Sequence, residues 1–310
     1  MQSDPDLRHP RHWPSWILVG LARTLAHLPL PWLLQIGRTL SRLVYRLLPE
    51  RRRIARVNLT YCFPELTPAE RKRLLRRHFE SVGMGAMETL FAWWRHDADM
   101  QDLGEIEGVE HLRNAAATGR GIILLSAHFT SLELGTRLAR IKLAEEGVVT
   151  TAMYKPPHDP VIDRVMRRRR DHLIGESSIR YDRLKDFLRA LKAGRAVWYA
   201  ADQNAHNKFS AVLPFFGKPA NTNLATSRLA AMSGAVVLPF FTLRKPGGGY
   251  RLVVHPPLEQ FPSGDDAADA LRINHLIEQT VLEYPEQYFW LHRRFRLSEQ
   301  NDPYRAAARR

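Results

Sequence analysis

The stretch GIILLSAHFTSLELG, Gly121 to Gly135, decides how this chain is read. Ile122 to Leu125 is a short, uniformly apolar run, the pattern of a buried strand. Ser126 and Ala127 end it, His128 follows, and beyond Phe129 and Thr130 the pattern becomes helical and carries Glu133. A histidine at the carboxyl end of a buried strand stands where open α/β sheets place reactive groups. A carboxylate one turn into the next helix can accept a hydrogen bond from one ring nitrogen. That fixes the tautomer and frees the other nitrogen to take a proton. The same spacing fits a capping box, with Thr130 as N-cap and Glu133 reaching back from the third helical position. A carboxylate has two oxygens, so the spacing leaves both roles open.

Outward from this stretch the chain alternates. Apolar strand candidates occupy 121–126, 148–153, 196–200, 235–243 and 250–254. Helices are expected at 131–145, 160–173, 183–193, 222–233 and 266–283, with Gly194 and Gly234 placed as C-cap glycines. This order predicts an α/β fold with a mixed, mainly parallel sheet flanked by helices. Gly247-Gly248-Gly249 reads as a hairpin turn that makes one edge antiparallel. Residues 51–100 read as helical. Thr67 caps a helix that begins at Pro68, and a second run from Val82 to Trp94 carries a Met and aromatic stripe typical of core. Neither GxGxxG nor GxxxxGK[ST] occurs, which argues against a nucleotide enzyme.

Composition narrows the class further. The chain has 310 residues, 45% apolar and 25% charged, the profile of an ordinary globular protein. One cysteine, Cys62, excludes an internal disulfide framework and any multi-cysteine metal site, and makes a reducing compartment the default. The net charge is +14, and residues 1–56 hold ten arginines against Asp4, Asp6 and Glu50, about half of that excess. Such a segment suits nucleic acid, an anionic membrane or an acidic protein. Between Trp13 and Leu48 the arginines interleave with Trp, Leu, Ile and Val. Arg23, His27, Pro29 and Pro31 interrupt the apolar run too soon for a membrane span. Two amphipathic helices, about 15–28 and 31–48, are expected, and they suit a membrane interface. The same periodicity would arise from helices packed on the protein's own core. The domain reading is 1–48 as N-terminal membrane-anchoring helices, 49–300 as the α/β body and 301–310 as a basic tail.

Further polar candidates fall in informative places. Asp202 follows the strand AVWYA, again at a carboxyl end. Arg167 to Arg170 lie on the helix expected after Pro160; most of the run should be solvated, but one member can turn inward to hold developing negative charge or a phosphate. His292, Arg293 and Arg294 read either as a structural tail motif or as a phosphate-binding group.

These motifs occur in one order: SAHFTSLELG at 126–135, YKPPHDP at 154–160, VWYAADQN at 197–204, LPFFGKPANT at 213–222 and PEQYFWLHRRF at 285–295. Together with NLTYCFPEL at 58–66, they make the chain resemble the late acyltransferases of lipid A biosynthesis from about residue 15 to 297. The resemblance implies a glycerolipid-acyltransferase-like fold and an O-acyltransferase. Such an enzyme moves a fatty acyl chain from the thioester of acyl carrier protein to a hydroxyl of an acylated lipid A precursor. It implies the cytoplasmic face of the bacterial inner membrane as location, membrane lipids as partners, and no cofactor, metal or nucleic acid. It makes His128 the general base and Glu133 its partner in a His-x4-Asp/Glu motif, with Arg170 and Asp202 as oxyanion-stabilising or substrate-positioning residues. The family commonly has glycine before the arginine, where this chain has Arg169, so the register within Arg167–Arg170 stays open by a position. Rival readings are a related acyltransferase acting on another glycolipid or a lysophospholipid, and a non-enzymatic basic membrane or nucleic-acid binder.

Overall fold

The structure is a computed structural model that describes residues 7–174, 178–204 and 209–307. Helices α1 (Trp13–Leu25) and α2 (Leu30–Leu47) are separated where Pro29 and Pro31 remove the N–H groups that would continue the first helix. Helix α3 (Pro49–Cys62) leads to α4 (Pro68–Trp94), which a complete capping box opens. Thr67 Oγ1 accepts from the Glu70 N–H at 3.3 Å, and the Glu70 carboxylate accepts from the Thr67 N–H at 2.7 Å. α4 is one helix of 27 residues and absorbs the second run expected from Val82. Its internal glycines are contact points. A β-carbon on Gly83 would overlap the Gly37 carbonyl of α2, and one on Gly85 would overlap the Thr130 carbonyl. Helix α4 therefore presses directly on the turn that follows His128.

Among the described residues, seven strands form the main sheet: β1 (Gly104–Glu107), β2 (Ile122–Ser126), β3 (Thr150–Tyr154), β4 (Ile179–Arg180), β5 (Ala196–Ala200) and, after a separate hairpin of β6 (Ser210–Phe215) and β7 (Lys218–Asn223), β8 (Val236–Arg244) and β9 (Tyr250–Val254). Their order is β1-β9-β8-β2-β5-β3-β4. Only the β8–β9 pair is antiparallel within it, among the described residues, joined by the expected triple-glycine turn. The intervening helices are α5 (Val109–Ala117), α6 (Leu132–Glu145), α7 (Pro160–Ile174), α8 (Leu184–Lys192), α9 (Ala225–Ser233), α10 (Asp266–Glu283) and α11 (Pro303–Ala306).

Strand β2 lies inside the sheet with cover on both faces, which is why it reads as uniformly apolar. Ile123 and Leu125 pack in a cluster with Ile54, Leu59, Phe187 and Ile277, while Ile122 and Leu124 pack on the other face with Leu33, Leu134 and Leu138. Each such side chain stabilises the fold by about 1.5–3 kcal/mol. Leu30 and Leu33 of α2 thus belong to the sheet's own core. The opposite side of the N-terminal pair is bare: Trp13, Ile17, Leu18, Leu21, Trp32, Leu43 and Leu47 are all exposed. No helix among the described residues is long and apolar enough to cross a membrane.

The structure differs from the pattern reading at β1, β4 and the β6–β7 hairpin, none of which alternates clearly. Lys218–Asn223 pairs with Ser210–Phe215 around Phe216 and Gly217, both at positive φ, so the helix expected from 222 starts at Ala225. The segment from 301 packs through Tyr304, whose hydroxyl donates to Asn58 Oδ1 at 2.6 Å.

Candidate active site

Strands β2 and β5 pair in parallel with Ser126 opposite Ala200. His128 stands two residues beyond one strand end and Asp202 two beyond the other, so the register alone brings them together. The Asp202 carboxylate grips the histidine twice: Oδ1 lies 2.7 Å from ring Nδ1, and Oδ2 accepts the His128 backbone N–H at 3.1 Å. Asp202 is buried and also accepts from the Tyr288 hydroxyl. Burial works against its charge, but His128 and these hydrogen bonds outweigh it and draw the carboxyl from 3.8 to about 2. An ionised acceptor at Nδ1 fixes the proton there. Burial likewise opposes a charged ring at His128, yet the Asp202 carboxylate holds its pKa above the ordinary 6.5. Nε2 makes no hydrogen bond among the described residues, and the side chain keeps 28% exposure.

Glu133 makes no hydrogen bond to His128 among the described residues, contrary to the expectation drawn from the spacing. Its carboxylate accepts from Trp93 Nε1 at 3.0 Å and from Arg170 Nε at 3.2 Å, and Arg170 Nη2 bonds its other oxygen. Burial raises the Glu133 pKa, but Arg170 more than offsets that and keeps the group ionised. The physical reason lies at the helix start. Ser131, not Thr130, is the N-cap of α6, and its hydroxyl donates to the Thr242 carbonyl at 3.0 Å. Glu133 therefore projects toward α4 and α7 instead of back to its own first turn. The Thr130 hydroxyl is used elsewhere, 2.6 Å from Ser81 Oγ and accepting from Arg244 Nη2 at 3.0 Å, so the capping box is not formed.

The arginine register resolves in the same geometry. Arg170 faces Glu133 and stands over the Tyr154 ring, Arg167 pairs with Asp163 at 3.3 Å, Arg169 lies over Trp94, and Arg168 is exposed.

The tail motif clamps both loops. Gln287 O accepts the Thr130 N–H at 2.8 Å, and the Phe289 N–H donates to His128 O at 2.9 Å. The Gln287 side chain is itself pinned to the Arg244 backbone at 2.9 and 3.0 Å. On the Asp202 side, His292 Nε2 accepts the Asn204 N–H at 3.0 Å, and burial holds this ring neutral with its pKa lowered to about 4. Arg294 is buried and donates to Asn221 O at 2.6 Å and Thr222 Oγ1 at 3.1 Å, while Arg293 pairs with Glu50 and Asp302. These contacts favour the structural reading of His292, Arg293 and Arg294. Sequence reasoning missed Trp93 and Tyr288 as partners of the two carboxylates, and the sequence carries no spacing signal for either.

The model of the family described as bacterial lipid A biosynthesis acyltransferase matches residues 1–297. The chain belongs to this family. It is an enzyme of lipid A biosynthesis that transfers an acyl chain to a lipid A precursor. Among its relatives, the lipid A biosynthesis lauroyltransferase of Escherichia coli K12 is 38% identical over 303 residues, covering 96% of each chain. The palmitoleoyltransferase of the same organism is 35% identical over 293 residues, covering 93% of this chain and 92% of its own. A solved 1-acyl-sn-glycerophosphate acyltransferase from Thermotoga maritima aligns with a TM-score of 0.37 and 14% identity over 81% of this chain and 98% of that one. The two lipid A relatives carry different acyl groups at similar identity, so similarity assigns no chain length to this member of the family.

Proposed function

We propose that His128, held by Asp202, is the general base of acyl transfer, and that the donor is an acyl thioester of acyl carrier protein. A hydroxyl is a weak nucleophile at neutral pH and needs a base positioned on its proton. With the Nδ1 proton facing Asp202, Nε2 is the accepting nitrogen. It takes the proton as the hydroxyl oxygen bonds to the thioester carbonyl carbon. The tetrahedral intermediate collapses with cleavage of the C–S bond, and the imidazolium returns the proton to the leaving thiolate. Asp202 stabilises the imidazolium through both steps. Arg170, placed by Glu133, supplies a fixed cation beside the developing oxyanion. The double contact between Asp202 and His128 carries this reading.

The exposed face of α1 and α2 supports peripheral attachment to the cytoplasmic face of the bacterial inner membrane. Trp and Leu side chains would enter the interface, and each arginine near an anionic surface adds about 1 kcal/mol. The test is acyl transfer by the purified protein, with acyl thioesters of acyl carrier protein and of coenzyme A compared on a lipid A precursor. A strong preference for the carrier protein is expected. Equal use of coenzyme A thioesters would refute the donor assignment.

A further inference from the structure

Next to the Glu133–Arg170 pair lies a cavity of about 420 Å³ between α1, the end of α4 and α7. Arg23, Arg164, Arg168 and Arg169 line it together with Trp16 and Trp94. None of the four guanidiniums pairs with a carboxylate among the described residues. The neighbouring carboxylates are engaged elsewhere. Asp159 caps α7 through the Val161 and Ile162 N–H groups at 2.8 and 3.0 Å and accepts from Ser15 Oγ at 2.6 Å. Asp163 holds Arg167, and Glu133 holds Arg170. The Ser15–Asp159 bond also docks α1 on α7, so the cavity is fixed by contacts of its own.

Four like charges around one concavity, with no internal counter-ion, form an electrostatic site for an anion. Burial and the charge of Arg23 both lower the pKa of Arg169, as expected where cations crowd without compensation. Planar guanidinium forks match phosphate oxygens. Arg169 lies 5.8 Å from the Trp94 ring centroid.

Two pairs of consecutive residues tie this cavity to the catalytic region. Trp93 bonds Glu133 while Trp94 lines the cavity. Arg170 bonds Glu133 while Arg169 lines the cavity. The remaining wall, α1, turns Ile17, Leu18 and Leu21 outward on the bare apolar face. An anion held here stands at the border between a lipid phase and the active site. We infer that this cavity binds a phosphate group of the lipid A precursor and so positions the acceptor hydroxyl for His128. The inference rests on the lipid A precursor being the acceptor.

The test uses the full-length enzyme in detergent micelles, with the phosphorylated precursor and the same precursor after phosphatase treatment. The wild type should show a KM at least about tenfold lower for the phosphorylated acceptor, on the order of tenfold per guanidinium–phosphate contact. Arg168→Gln/Arg169→Gln should raise that KM and cut the preference by about tenfold or more. Arg168→Lys/Arg169→Lys, which keeps the charge, should retain part of the preference. A thermal midpoint within a few degrees of wild type establishes that each variant is folded. A wild-type enzyme that acylates both acceptors with equal KM overturns the phosphate site alone, as does a Gln variant that keeps the wild-type preference. An enzyme that acylates neither acceptor overturns the acceptor assignment and the site together. Binding to phosphatidylcholine vesicles with and without anionic phospholipid separates the other source of phosphate. If the Gln variant loses only the anionic-vesicle binding and keeps its micellar KM, the cavity serves bulk lipid and the inference fails.

Discussion

Asp202→Asn is the perturbation on which the proposed mechanism turns. The carboxylate makes two bonds to one residue, to the His128 ring at 2.7 Å and to its backbone N–H at 3.1 Å. Asparagine keeps one accepting oxygen. If that oxygen stays on the backbone N–H, the amide NH2 faces ring Nδ1 and drives the proton to Nε2, the nitrogen that must accept the substrate's proton. The electrostatic loss adds to the tautomer loss. Asp202 is drawn from 3.8 to about 2 by His128, the backbone N–H and Tyr288 together, against its burial, a net preference for the ionised carboxylate of about 2 kcal/mol that sets the scale of the rate loss at roughly 50-fold. A histidine locked in the wrong tautomer loses up to about 10⁴-fold, so the expected fall in kcat lies between about 50-fold and 10⁴-fold. The assay is initial-rate acyl transfer across a pH series. In the wild type the rate should rise with pH through an inflection above 6.5, since the base acts only when deprotonated and its pKa is raised. In Asp202→Asn, burial acts on the ring unopposed, and any residual activity should inflect below 6.5. A folded Asp202→Asn enzyme with near-normal kcat and an unmoved inflection would refute the base assignment.

Other expectations follow from the same contacts. Glu133→Ala leaves Arg170 largely buried and unpaired, and should lower unfolding stability by about 3 kcal/mol or more, beyond the 0.5–2 kcal/mol of a lost cap; urea titration separates the two. Gly85→Ala should reduce stability and activity together, because the new methyl group meets the Thr130 carbonyl just after the base; normal values for both would contradict the close crossing of α4. His78 is fully buried with its pKa lowered to about 4, so the folded state excludes a proton that the unfolded chain takes up. Stability should therefore fall as pH drops from about 6.5 to 4, by about 3 kcal/mol from this group, and His78→Gln should flatten that slope in thermal melts. Leu18→Glu/Leu21→Glu changes two exposed positions of α1 and should shift the protein from vesicles to the supernatant without lowering its thermal midpoint.

The sheet and its central strand were legible because burial on both faces leaves an uninterrupted apolar run, as in Ile122–Leu125. The hairpin Ser210–Asn223 was not, because its pairing depends on its own turn and on helix α10 behind it, not on alternation. At the site, spacing brought His128 and Glu133 together on paper since they are close in sequence. The actual partner, Asp202, is 74 residues away and reaches the ring through the parallel register of two strands. Position beyond a strand end marked Asp202 without naming it as the partner of His128, and spacing pointed to Glu133, which instead bonds Trp93 and Arg170. The amphipathic periodicity of α2 is only partly used by the protein's own core: Leu33 packs into it while Leu43 and Leu47 remain bare. Such a pattern does not say how much of a helix's apolar surface the core takes up when one helix carries both a packed and a bare apolar side.

The most direct measurement of the central claim is single-turnover transfer of a labelled acyl group from acyl carrier protein to a lipid A precursor by the wild type and by His128→Ala. The proposed mechanism predicts loss of at least about 10² in the chemical step, with the thermal midpoint and acceptor binding preserved. A folded His128→Ala enzyme that transfers the acyl group at a wild-type rate would contradict it.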